Sequence, residues 1–209
     1  MIRTILVATT NPGKLEELTA LLGQASRDIK WLSLKEFPDI PEMVEDGETF
    51  ADNARKKALG YANAAGLWTI ADDSGLVIDA LNGAPGVYSA RYAADECSSS
   101  NRKTMDRANW EKVLRQLKDI PDKKRTARFV CHLCLASPQK ILLETTGTIE
   151  GVINHCPVGE NGFGYDPIFY ISFVDKTAAQ LDNHEKNGIS HRGNAIRQFK
   201  PLLENLLKQ

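Results

Sequence analysis

The chain has 209 residues, a mass of 23.1 kDa, a formal net charge of −1 and a pI near 6.4. With 42% hydrophobic and 25% charged residues it has the composition of a globular protein, sized for one domain or two joined lobes. The near-zero charge excludes an overall field that draws the protein onto nucleic acid or a membrane, so an anion must be met by a local group of cations.

The N-terminal run MIRTILVATTNPGK is too short for a signal peptide or a membrane span, and no later stretch approaches ~20 apolar residues, so a cytoplasmic protein is expected. Ile2 to Ala8 reads as a buried strand. Asn11 and Pro12 then read as an N-cap and a first helical residue, with Leu15, Leu18 and Leu22 at helical spacing. IKWLSL (29–34) is a second strand, and the proline- and acid-rich 37–48 a loop. Thr49 to Asp52 forms a capping box with Asp in the place of Glu, opening a helix on Phe50, Ala54, Ala58, Tyr61 and Ala62 that ends at Gly66.

LWTIADDSG (67–75) follows, an apolar strand expected to end in two carboxylates. Turn signals come at Asn82-Gly83 and Pro85-Gly86, then a helix within 100–118. RTARFVCHLCLAS and KILLETTGTIEGVI are strands joined as a hairpin by Ser-Pro-Gln-Lys. A glycine-rich loop (159–167) leads into the strand IFYIS, a polar helix near 177–186 and a last amphipathic helix. Pro201 is expected to kink that helix or to set its start. The expected architecture is a mixed α/β fold: a central mixed sheet flanked by helices, one domain over 1–209. Its two lobes would have an active-site cleft between them, the second built largely from the 125–153 meander.

Of four cysteines, Cys131 and Cys134 form a C-x-x-C, but no second pair follows at zinc spacing. In a strand, residues three apart face opposite sides, so these two read as small core residues.

Five motifs are candidates to carry chemistry. TTNPGK (9–14) places Thr9, Thr10, Asn11, Pro12, Gly13 and Lys14 at a helix start, where free N–H groups, the helix dipole and a lysine suit an anion. The spacing is not that of a P-loop. ADDSG sets two acids side by side, whereas a phosphotransferase nucleophile of the haloacid dehalogenase type has D-x-D. Adjacent acids in extended chain diverge, so one suffices for a site, and a metal-bound carboxylate fits better than a covalent one. The loop 42–48 offers Glu42, Glu45, Asp46 and Glu48, either as a solvated face or as a second metal carboxylate. Phe163 and Tyr165 stand between glycines, either as stacking platforms for a base or as core rings. His191 and Arg192, in SHRG, can donate hydrogen bonds to a purine edge.

In chain order the motifs are T-x-N-x-x-K, E-T-F-x-x-N-A-x-x-K-A, A-D-D-S-G-L, G-A-P-G-V-Y-S-A-R-Y, G-F-G-Y-D-P-I-F and S-H-R-G. Together they resemble the inosine/xanthosine triphosphate pyrophosphatase family, from Thr9 to about Phe199. The resemblance implies a homodimer that hydrolyses ITP, dITP or XTP to the monophosphate and pyrophosphate with Mg²⁺; the near-zero charge and the lack of a long apolar run lead to the expectation of no nucleic acid or membrane partner. It implies that the residues from Thr9 to Lys14, with Lys57, line the triphosphate. Glu45 and Asp73 would hold the magnesium, with Asp73 also the general base and Ser74 beside it on the substrate. Phe163, Gly164, Tyr165 and Asp166 would hold base and ribose, and Lys186, His191 and Arg192 would read the base.

Overall fold

The computed structural model describes residues 3–23 and 29–208. Ile2, where the first strand was expected to begin, lies outside them. The strands are β1 (Arg3–Val7), β2 (Ile29–Ser33), β3 (Trp68–Ile78), β4 (Thr126–Ala136), β5 (Ile141–Ile153), β6 (Phe169–Ile171) and β7 (Lys176–Thr177). The helices are α1 (Pro12–Leu22), α2 (Phe50–Ala65), α3 (Arg102–Gln116), α4 (Asn183–Ile189) and α5 (His191–Leu207). The strand order is β2-β1-β3-β4-β5-β6-β7. β1 runs parallel to β2 and β3, while β5–β6 and β6–β7 are antiparallel, which makes the sheet mixed.

The chain forms two compact units, Met1–Asp73 with Cys131–Gly147 and Ser190–Gln209, and Ser74–Val130 with Thr148–Ile189. In the first unit, strand alternation sends side chains to two helical layers. Ile5, Val7, Ile70, Leu133 and Leu135 pack with Leu18 and Leu22 of α1 and Ile196, Phe199 and Leu203 of α5. Leu6, Ala8, Ala71 and Ala136 pack with Ala54, Ala58, Tyr61 and Ala62 of α2. Cys131 belongs to the first layer and Cys134 to the second, both fully buried. Burial pushes each thiol up to about 12, so they are core residues.

The helix boundaries follow from local chemistry. Asn11 accepts the Gly13 N–H at 3.0 Å to open α1. Thr49 and Asp52 cap α2 reciprocally, at 3.1 and 3.2 Å. Gly66, at φ +66°, closes α2 in the left-handed conformation open to glycine. Ser137 N–H donates to the Lys140 carbonyl at 2.9 Å, closing the turn from β4 to β5.

Three expectations need correction. The acids do not end a strand: β3 continues through Asp72, Asp73, Ser74 and Gly75 to Ile78. The polar helix does not start near 177. Residues 178–180 form a 3₁₀ turn, and α4 starts at Asn183, after Asp182 and Glu185 exchange backbone and side-chain bonds at 2.7 and 2.9 Å. Pro201 does not set the start of the last helix but lies inside α5, where buried Ile196, Phe199 and Leu203 hold the helix on either side of it.

The second unit is built around Leu76, Ile78, Val113, Leu117, Phe129, Ile168 and Phe169. Gly75 is required there, because a Cβ would stand 2.3 Å from Ser89 Oγ. That hydroxyl accepts the Leu76 N–H at 2.9 Å and donates to the Gly86 carbonyl at 2.6 Å. Arg125, 2% exposed, donates to the carbonyls of Leu117 (2.6 Å), Ile153 (2.8 Å) and Asn154 (3.0 Å). It thereby supplies donors to backbone carbonyls where α3 and β5 end.

Gly147 of β5 shows how closely α5 approaches its sheet: a Cβ there would stand 2.2 Å from the His191 carbonyl and 2.3 Å from Ala195 N. Gly147→Ala should therefore lower stability by at least ~2 kcal/mol in urea denaturation. Gly188→Ala, in α4 with open space around it, should be neutral or stabilising by about 0.5–1 kcal/mol. Equal effects at the two positions would contradict this packing.

Candidate active site

Asp72 and Asp73 are neighbours in a strand, so their side chains leave on opposite faces. Asp72 shares the face of Ile70 and Cys131, and Asp73 that of Ala71 and α2.

Asp72 is fully buried. Its carboxylate lies 3.1 Å from Lys14 Nζ and 3.3 Å from Arg192 Nη2, and Cys131 Sγ is 4.0 Å away. Arg192, 1% exposed, also pairs with Glu17 of α1. Charge therefore alternates through Lys14, Asp72, Arg192 and Glu17, tying the starts of α1 and α5 to the sheet. Burial opposes ionisation of Asp72, but Lys14, Arg192 and Lys57 outweigh it and hold its carboxyl far below the usual range.

Asp73, 5% exposed, accepts from Asn53 Nδ2 at 3.1 Å and lies 3.7 Å from Lys57 Nζ. Here burial prevails: helped by Glu45 and opposed by Lys57 and Lys14, it raises the pKa above the ordinary aspartate value. Lys57 is also buried, but Asp73, Asp72 and Glu45 overcome the cost and raise its pKa, so it stays charged. Lys57 Nζ reaches Glu45 Oε1 at 2.8 Å. Among the loop acids, Glu42 accepts from Thr10 Oγ1 at 2.9 Å and Asp46 pairs with exposed Lys56, so Glu45 is the one that shares Lys57 with Asp73.

The helix start is not lined by free N–H groups, as the sequence suggested. Asn11 Oδ1 takes the N–H groups of Gly13 (3.0 Å) and Lys14 (3.4 Å), and Thr9 Oγ1 accepts from Asn11 N at 3.2 Å. An anion bound there competes with this cap. The charge of Lys14 and the helix dipole remain.

In the second unit, Asp166 organises the glycine-rich loop. It accepts the Phe163 N–H at 2.9 Å and pairs at 2.5 Å with Lys186 Nζ, which lies 4.7 Å from the Phe163 ring centroid. Gly162 is at φ +73°, where a Cβ would stand 2.0 Å from Asp166 Oδ2. The structure separates the two rings left open by the sequence. Tyr165 is a core ring, 3% exposed, donating its hydroxyl to the Ser89 carbonyl at 2.8 Å. Burial raises its pKa, so it stays a donor. Phe163 keeps a partly exposed ring. Ser74 follows Asp73 in β3 and is half-buried. Lys186 thus stands with Asp166 in the second unit. His191 and Arg192 open α5 in the first, where Ser190 accepts the Gly193 N–H at 3.0 Å.

Asn53 carried no role in the sequence reading. Fully buried, it accepts the Gly47 N–H at 2.8 Å through Oδ1 and donates through Nδ2 to Asp73, joining the acidic loop to the carboxylate. Its one trace in the sequence is its place in E-T-F-x-x-N-A-x-x-K-A, four residues after the capping-box hydroxyl of Thr49.

A capped helix start, two lysines and a pair of buried acids whose pKa values are shifted in opposite directions fit a hydrolase acting on a phosphorylated substrate. The chain belongs to the Ham1 family, whose model matches residues 5–202. It is 48% identical over 199 residues to the dITP/XTP pyrophosphatase of Halalkalibacterium halodurans, covering 95% of this chain and 98% of that one. Among solved structures, a HAM1 protein from Coxiella burnetii has a TM-score of 0.85 at 42% identity, over 97% of this chain and 99% of that one. The Staphylococcus aureus Ham1 protein has a TM-score of 0.82 at 41% identity, with the same coverage. No helix among the described residues is long and apolar enough to cross a membrane.

The two acids should act on stability with opposite signs. A lowered folded pKa means that ionised Asp72 contributes stability above its unfolded pKa, lost as pH falls through the folded value. A raised folded pKa means that ionising Asp73 costs stability, fully so above the folded value. In metal-free protein at pH 7, Asp72→Asn should lower the melting temperature by the equivalent of about 3–5 kcal/mol, since it leaves buried cations uncompensated. Asp73→Asn should melt at or above the wild type. Equal losses would contradict the assignment.

Proposed function

We propose that this chain is a divalent-cation-dependent diphosphatase that hydrolyses ITP, dITP and XTP to the monophosphate and pyrophosphate. The observation that carries the reading is Asp73: a buried carboxylate with a raised pKa, held by Asn53 and flanked by Lys57 and Glu45. The similarity to the dITP/XTP pyrophosphatase of Halalkalibacterium halodurans supports the substrate class.

A triphosphate carries about −4 at neutral pH, and each phosphoryl group needs cationic or N–H partners. Lys14 and Lys57 supply the cations, Thr9, Thr10, Asn11 and Gly13 the hydroxyl and N–H donors, and Pro12, which has no N–H, fixes the helix start that carries them. Asp73 orients a water toward the α-phosphorus and takes its proton. The new O–P bond forms as the bond to the bridging oxygen breaks, and pyrophosphate leaves with the electron pair.

Among the described residues no group of three or more His, Cys, Asp or Glu is arranged for a metal ion. Magnesium binds through one or two carboxylates plus substrate phosphates and keeps several waters, so the hard oxygens of Glu45 and Asp73 fit it. These two acids would hold the cation, which when bound supplies charge stabilisation for the leaving pyrophosphate. Lys57, now between them, offsets their mutual repulsion.

In the second unit, Phe163 gives the purine a stacking face, Gly164 and Tyr165 shape the loop around it, and Lys186, anchored by Asp166, donates to its O6. Ser74 contacts the substrate beside Asp73. His191 and Arg192 are the proposed purine donors of the first unit. Hypoxanthine and xanthine present an O6 acceptor and an N1–H donor, whereas adenine presents the reverse. Donors aimed at O6 meet the adenine amino group, a mismatch worth about 1–3 kcal/mol per unpaired group.

Purified protein with Mg²⁺ should release pyrophosphate from ITP, dITP and XTP at least ~100-fold faster than from ATP. EDTA should abolish turnover and Mg²⁺ restore it, and Asp73→Asn should cost at least ~10³-fold in kcat. Equal turnover of ATP, or orthophosphate as the sole product, would sink the proposal.

A further inference from the structure

The buried face of α3 contains two polar residues among apolar ones. Asp106 is 8% exposed, Asn109 1% and Val113 fully buried, at positions i, i+3 and i+7. An apolar pair there would avoid the desolvation that a carboxylate and an amide incur, so what these groups hold is informative. Asp106 Oδ2 accepts the Gly164 N–H at 3.0 Å, and Oδ1 lies 3.3 Å from Arg102 Nε. Asn109 Nδ2 donates to the Ser89 carbonyl at 3.3 Å, and its Oδ1 accepts the Ala93 N–H at 2.7 Å. The same Ser89 carbonyl receives the Tyr165 hydroxyl.

One helix face thus holds two consecutive residues of the glycine-rich loop, Gly164 directly and Tyr165 through Ser89. Gly164 has φ +63°, which only a residue without a Cβ adopts readily, and its N–H points at α3 instead of into secondary structure. On the other side of Phe163, its own N–H is held by Asp166. The Phe163 ring, with Lys186 over it, therefore stands between two carboxylate anchors one residue apart.

We propose that Asp106 is a positioning residue for purine recognition: by holding the Gly164 N–H it fixes the orientation in which Phe163 is presented to the base. The proposal rests on the reading of residues 163–166 as the base-holding loop. Asp106 touches no substrate and acts only through Gly164, so its loss should weaken binding of the base without altering the chemical step or the grip on phosphates. A loop held at one anchor has to be ordered at binding, a cost that appears in KM.

The test compares wild type, Asp106→Ala and Asp106→Asn, with Asp106→Ser in place of the alanine variant should the latter not fold. Wild-type turnover of ITP is measured first; its absence overturns the underlying reading and is distinguishable from any result on Asp106. Asp106→Ala should raise KM for ITP about 10-fold with kcat within about 3-fold of wild type. The preference for ITP over GTP should fall, while the inhibition constant of inorganic pyrophosphate, which has no base, should hold within about 2-fold. Asp106→Asn, whose amide oxygen can accept the same N–H, should recover most of the KM loss. An unchanged KM in Asp106→Ala or Asp106→Ser, a fall in kcat at constant KM, or a parallel loss of pyrophosphate affinity would each overturn the proposal.

Discussion

Asp72 carries a negative charge with no exposed surface, and the first unit is arranged around keeping it charged. Burial alone would neutralise such a group. Lys14 reaches it from the first turn of α1 and Arg192 from the first turn of α5, with Glu17 balancing the arginine in turn. Two helix starts are thereby fixed to the middle of one strand. The neighbouring Asp73 exits on the opposite face, where burial is answered less fully and the carboxyl pKa rises. One residue of displacement along a pleated strand separates an acid paired with two cations from one whose ionisation burial disfavours.

The division carries a trade-off. Ionised Asp72 stabilises the fold, whereas ionised Asp73 strains it, and the strain is held by Asn53 and Lys57 on α2 together with the loop bearing Glu45. A carboxylate uncomfortable as an anion is suited to take a proton from water, and a neighbouring charged lysine keeps it available at neutral pH. In the second unit, Asp166 and Asp106 fix the successive backbone N–H groups of Phe163 and Gly164.

Most of what rests on near neighbours in the chain was legible in the sequence, the Asp182–Glu185 exchange that opens α4 excepted. Asn11 with Pro12, Thr49 with Asp52, Gly66, and the turn at Ser137 to Lys140 are all local hydrogen-bond devices, and the structure has each one where the spacing placed it. The divergence of Asp72 and Asp73 was legible too, as pleat geometry. The run of β3 past the acids was not, because a strand continuing through two carboxylates depends on Lys14, Lys57 and Arg192, 58, 16 and 120 residues from Asp72 or Asp73. Nor were Asn53 and Asp106, whose partners lie 20 and 58 residues away and are met only through space. Tyr165 and Phe163 have the same local sequence signature, two aromatic residues among glycines. Only the Ser89 carbonyl, 76 residues from Tyr165, makes one a core ring and leaves the other partly exposed.

The opposite pKa shifts of two adjacent carboxyls, Asp72 down and Asp73 up, are directly measurable. Carbon-13 labelling of the aspartate carboxyls, with assignment by Asp72→Asn and Asp73→Asn, would follow both through an acid titration of the metal-free protein. The prediction is that Asp73 titrates above the ordinary aspartate value while Asp72 stays ionised down to the pH at which the protein unfolds. If the two carboxyls titrate together near the ordinary value, or if Asp72 takes up its proton first, the separation of roles along β3 is wrong.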